Sequence, residues 1–132
     1  MKEVLDTRFF AEHFFSDQSQ TKQKTTRRLR ELASRNEGIV PTIVISEIIQ
    51  TTCERRGKEL AETRYYALVK SGLQIQPLTP IIAKLAGLIK CQHKNTPMGD
   101  CIIAATAITN HARILSDDPH YDTIKETKRT WI

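Results

Sequence analysis

Four short stretches of the chain are apolar and too brief for helices: KEVL at positions 2–5, Ile39-Val40, Leu73-Gln74-Ile75 and ARIL at 112–115. Between them lie segments long enough for one or two helices each, several with apolar residues at helical spacing. TRFFAEHFF, with Phe9, Phe10, Ala11, Phe14 and Phe15, is the first. A second helix is expected from about Thr21 to Arg35, stopped by Asn36-Glu37-Gly38 with the glycine just past the last turn. A third starts near Thr42 or Ser46, after Pro41 ends any ordinary ladder. A fourth covers roughly 58–71, up to Ser71-Gly72. A fifth follows Pro80 and carries Ile82, Leu85, Ala86 and Ile89 on one face. The run Cys101–Thr109, almost devoid of polar residues, is expected as a helix buried on all sides, and RTWI at 129–132 as a last strand. Strands alternating with helices can return in the same direction only through crossovers, so the pattern specifies a parallel sheet covered on both faces. One α/β domain over residues 1–132 is expected, without repeat, linker or low-complexity tract.

Composition supports this reading and excludes others. A chain of 132 residues with 39% hydrophobic and 27% charged residues has the balance of a folded soluble domain. No apolar run approaches the length of a membrane span. MKEVLDTRFF carries acids at positions 3 and 6 and no small-residue cleavage site, so it is not expected to act as a signal peptide, and a cytoplasmic location follows. Cys53, Cys91 and Cys101 are odd in number and form no C-x-x-C pair, which argues against a disulfide framework and a zinc ribbon. The net charge of +5 favours polyanionic partners. Its basic residues gather at Lys22, Lys24, Arg27, Arg28 and Arg30, and again at Lys125, Lys128 and Arg129. Those clusters suit either solvated helix faces or nucleic-acid contact, with few aromatics available for base stacking.

The acids are the informative residues. Ligands of an open parallel sheet bind beyond the carboxyl ends of its strands, at the switch point of the strand order. Asp6 ends the first strand, Asp117 and Asp118 follow ARIL, and Glu47 lies in the first turns of the helix after the second strand. Asp100 opens the buried helix that leads into ARIL. Singly, each has an ordinary use: Asp6 and Asp100 as helix caps, Glu47 as a first-turn acid, Asp117 and Asp118 in a turn before Pro119. Jointly, they can converge on one edge. Like charges placed together raise one another's pKa, a penalty that a divalent cation removes. Carboxylate and water oxygens suit Mg²⁺ or Mn²⁺. An acidic metal site in a basic protein points to a phosphodiester substrate. No G-x-S-x-G, phosphate loop or zinc-ligand set competes, and His13, His93, His111 and His120 are scattered.

V-L-D-T at the N-terminus, S-E about forty residues on, G-D-C-I-I-A-A-T-A, and then I-L-S-D-D-P-H-Y resemble the PIN-domain ribonucleases. Within them the likeness is to the VapC-type toxins of toxin–antitoxin pairs, over the whole chain and with the motifs in order. The last motif, usually T-x-D-x-x-F, has Ser116 for Thr and Tyr121 for Phe. The resemblance implies a three-layer α/β/α sandwich of strand order 3-2-1-4-5. It also implies that Asp6, Glu47, Asp100 and Asp118 bind Mg²⁺ or Mn²⁺, with Asp117 as second choice and Thr7 and Ser116 as supporting hydroxyls. The implied activity is metal-dependent hydrolysis of RNA by a homodimer, held inactive by a small antitoxin. RNA maturation without a toxin role, DNA cleavage, and an RNA-binding module without chemistry stay open at this point.

Overall fold

The computed structural model describes residues 1–132. In chain order the elements are β1 (Glu3–Leu5), α1 (Thr7–Phe15), α2 (Ser19–Arg35), β2 (Gly38–Pro41), α3 (Thr42–Arg56), α4 (Lys58–Val69) and β3 (Gln74–Gln76). They continue with α5 (Pro80–Gln92), α6 (Met98–Thr109), β4 (Arg113–Leu115), a 3₁₀ turn (Pro119–Thr123) and β5 (Arg129–Thr130). The five strands form one parallel sheet flanked by helices, as the residue pattern leads one to expect, in the order β3-β2-β1-β4-β5 that the family resemblance implies.

β1 sits in the middle, with Val4 opposite both Ile39 and Ile114, and Leu5 opposite Leu115. Because both faces of a parallel sheet are covered, β1 and β2 are buried at every position. α6 is buried without a break from Cys101 to Ala107 and packs against β1, β4, α3 and α5. That explains its lack of a polar face. Small residues at 104, 105 and 107, all fully buried, let the helix approach its neighbours closely. α3 buries Val44, Ile48 and Thr52, and α5 buries Ile82, Ala86 and Ile89, the one-sided stripes of helices that cover a sheet.

Several element boundaries differ from the sequence reading by one to three residues. α2 ends on Asn36, which takes the left-handed conformation (φ 54°), and its N–H closes onto the carbonyls of Ala33 and Leu32. Gly38 is instead a β2 residue, kept small because a Cβ there would lie 2.5 Å from Leu73 Cδ2. β3 begins one residue later than expected, leaving Leu73 in the core before it. β5 stops at Thr130, while Trp131 and Ile132 pack against the core outside the ladder.

Candidate metal centre

The strand order changes direction at β1, so the crevice between β1 and β4 is the switch point of the sheet. Asp6 follows β1 at this edge, and Ser116, Asp117 and Asp118 follow β4. α3 and α6 bring Glu47 and Asp100 over the same edge by their N-terminal turns.

Buried hydroxyls hold the carboxylates in place. Asp6, only 2% exposed, accepts from Ser116 Oγ at 2.6 Å and from the Tyr121 hydroxyl at 3.0 Å. The same hydroxyl lies 3.4 Å from Asp100 Oδ1 and so bridges two acids. Thr7 Oγ1 donates to Glu47 Oε1 at 2.6 Å. Gly99 leaves room for that carboxylate, since a Cβ at position 99 would meet Glu47 Oε2 at 3.3 Å. Asp118 Oδ1 accepts from the backbone N–H of His120 at 2.9 Å, and its own N–H donates to Ser116 Oγ at 3.0 Å.

The ordinary uses of these acids separate clearly. Asp6 occupies the N-cap position of α1, yet its side chain makes no capping bond there. Asp100 is not a cap: Pro97 holds that position, and Asp100 stands in the first turn without bonding a backbone amide. A carboxylate there gains from the helix dipole while keeping both oxygens free of the backbone. Asp118 does cap the 3₁₀ turn, with one oxygen. Asp117 points elsewhere, into a two-pronged ion pair with Arg8 (2.9 and 3.1 Å). The Arg8 guanidinium holds its carboxyl below the usual range.

Burial first, and charge crowding second, set the electrostatics of the site. Burial, reinforced by the charges of Asp6, Asp118 and Glu47, pushes the Asp100 carboxyl up to about 6. Burial also raises Asp6, against the hydrogen bonds from Ser116 and Tyr121. Burial and the charges of Asp6, Asp100 and Asp118 raise the Tyr121 phenol, so it stays protonated and donates.

Two residues escaped the sequence reading. Tyr121 was visible only as a replacement for Phe, while its hydroxyl is a buried donor to the acids. His120 is one of four histidines scattered along the sequence, yet it stands beside Asp118 and Asp100. Its place two residues after Asp118 was the available signal. Asp100, Asp118 and His120 each bring a ligand atom to within 4.8 Å of the others, a group able to hold a metal ion. Tyr121→Phe is expected to lower the stability of the metal-free protein by about 1–2 kcal/mol, because buried Asp6 is left with one hydroxyl donor. Urea unfolding in chelator checks this, and an unchanged midpoint would contradict it.

Of the basic clusters, Arg28 is committed to Glu3 and Arg129 to Asp122. Lys22, Lys24, Arg27 and Arg30 remain exposed along α2. No helix is long and apolar enough to cross a membrane.

The PIN domain family model matches residues 4–127. No curated protein sequence matches the chain. Among solved structures, a chain of VapBC2 from Rickettsia felis bound to a promoter DNA fragment superposes with a TM-score of 0.80 at 17% identity, covering 99% of this chain and 98% of that one. DNA-bound VapBC from Salmonella typhimurium gives 0.79 at 16%, with the same coverage. VapC20 of Mycobacterium tuberculosis, a toxin that cleaves the sarcin–ricin loop, gives 0.72 at 12%, covering 94% of this chain and 95% of that one. A model match over nearly the whole chain, on the same sheet order and with the acids at the switch point, places this chain in the PIN domain family.

Proposed function

We propose that the protein is a divalent-metal-dependent endoribonuclease, the toxin of a toxin–antitoxin pair acting in the cytoplasm. The observation that carries this reading is the gathering of Asp6, Glu47, Asp100 and Asp118, from four separate segments, at one sheet edge, where burial and then their mutual repulsion raise Asp100. Uncompensated, such a cluster costs stability, and a cation of the Mg²⁺ or Mn²⁺ type offsets the cost. The donor set fits: carboxylate oxygens oriented by hydroxyls, with no thiolate among them.

Asp100 and Asp118, with Asp6 and Glu47 behind them, would hold the ion. When bound, it supplies positive charge for the phosphoryl oxygens and acidifies a water. The protein's own part is orientation. Ser116 and Tyr121 fix Asp6, Thr7 fixes Glu47, and the turn after β4 fixes Asp118. Lys22, Lys24, Arg27 and Arg30 on α2 offer contacts for a phosphodiester backbone. A homodimer and a small antitoxin partner complete the reading, supported by the VapBC complexes among its structural neighbours.

The test is cleavage of a defined RNA set by the purified protein in Mg²⁺, in Mn²⁺ and in chelator. Cleavage is expected only with a divalent ion. Asp118→Asn should lose about a hundredfold, whereas Asp117→Asn should stay within a few-fold of the parent because Arg8 already occupies that carboxylate. Full activity in chelator, or equal losses in the two variants, would refute the assignment.

A further inference from the structure

His120 lies in the 3₁₀ turn after β4, a loop that carries no apolar constraint on this side chain: the imidazole is 61% exposed. An exposed ring is free to face solvent, yet this one leans over the acidic edge. Its Nδ1 is 3.1 Å from Asp118 Oδ1 and 4.0 Å from Asp100 Oδ2. Around a six-coordinate ion with ligands at about 2.1 Å, adjacent donor atoms lie about 3.0 Å apart and opposite ones about 4.2 Å. The two observed separations match those values closely. The ring hydrogen-bonds to no other side chain, while the backbone N–H of the same residue anchors Asp118.

We propose that His120 is a nitrogen ligand of the metal centre, completing a set with Asp100 and Asp118 and biasing the site toward Mn²⁺ over Mg²⁺. The inference rests on the metal-site reading above and deepens it. Mg²⁺ is a hard ion that favours oxygen donors and releases its water reluctantly. An imidazole nitrogen is a better partner for ions further along the first transition row, so replacing one oxygen or water donor by His120 shifts preference away from Mg²⁺. A purely carboxylate site would lack that bias.

The competing role is positioning, in which the ring only steadies Asp118 through their contact. His120→Gln separates the two, because the amide can still donate to Asp118 but supplies no imidazole. Calorimetric titration with MnCl₂, NiCl₂ and MgCl₂ at one fixed pH is run on the parent, His120→Ala, His120→Gln and Asp100→Asn. Both His120 variants are expected to lose about tenfold in Mn²⁺ affinity and more for Ni²⁺, with Mg²⁺ changing less than about twofold. Pulsed EPR of the Mn²⁺-loaded parent should show coupling to a ¹⁴N nucleus that disappears in both variants. Recovery of parental Mn²⁺ affinity by His120→Gln, equal losses for all three ions, or absence of ¹⁴N coupling in the parent would each overturn the assignment of His120. Should the parent bind none of the ions, the metal-site reading falls and takes this one with it. Binding lost in Asp100→Asn but untouched in the His120 variants would leave the site standing and remove only the histidine.

Discussion

Asp100→Asn is expected to abolish Mn²⁺-dependent RNA cleavage, by about a hundredfold or more, while making the metal-free protein more stable at neutral pH. The two effects share one cause. The Asp100 carboxyl titrates at about 6 against an ordinary value of 3.8, because burial and three neighbouring carboxylates oppose its charge. Between those values the folded protein holds a proton that the unfolded chain has released. Stability contributed by this group therefore rises as pH falls through that window. Above about pH 6 the folded state bears the full cost of the charge, on the order of 3 kcal/mol. Asparagine has no charge to bury, so the variant should melt several degrees higher in chelator at neutral pH. Its melting temperature should also depend less on pH between about 4 and 7. Adding Mn²⁺ should reverse the ranking, since only the parent gains binding energy. Thermal scans in chelator and in Mn²⁺, beside an RNA cleavage assay, provide the check. A variant less stable than the parent without metal would show that carboxylate crowding is not what the site stores.

The second large effect lies at the opposite end of β1. Glu3 is 2% exposed in the central strand, where a lone carboxylate would be costly. It accepts from Arg28 Nη1 at 2.9 and 3.2 Å and from Arg113 Nε at 2.8 Å, two guanidiniums from α2 and β4 on one acid. Replacing both arginines by methionine should cost about 3–5 kcal/mol, because the buried charge loses its partners while the sheet around it cannot open. Glu3→Gln should cost less, about 1–2 kcal/mol, since the side chains of Arg28 and Arg113 are 25% and 39% exposed and can turn to water. Changing all three residues to methionine should recover most of the double variant's loss. Urea midpoints for the set decide the matter: a double arginine variant as stable as the parent would mean that Glu3 does not depend on its partners.

Neither Glu3 nor its arginines stood out as structural in the sequence. Arg28 belonged to a basic run that suited nucleic acid equally well, and only the packing of α2 across the sheet end turned it inward. The helix boundaries show the same limit at a smaller scale. Asn36 and Gly38 both suit the end of α2, and the choice fell to Asn36 because Gly38 is needed where Leu73 presses on the strand. Where the signal was local it was sound. α6 could be read from its unbroken apolar run, and the strands from brevity and β-branched content.

What the sequence determined by itself was the alternation of strands and helices, hence the parallel sheet and the edge at which Asp6 and Asp118 emerge, with Glu47 in the first turns of the helix beyond β2. Periodicity and chain direction are local properties, and they suffice for that. The tertiary structure alone decided which group each acid meets. Asp6 and Ser116 lie 110 residues apart, Asp6 and Tyr121 115, and Arg8 and Asp117 109. Adjacent acids in S-D-D-P-H-Y thus part company, Asp117 to an arginine and Asp118 to the centre, with His120 drawn in beside it. Contacts of that span depend on the register of β1 against β4 and on side-chain direction at the strand ends, and neither is written in the local pattern of polarity.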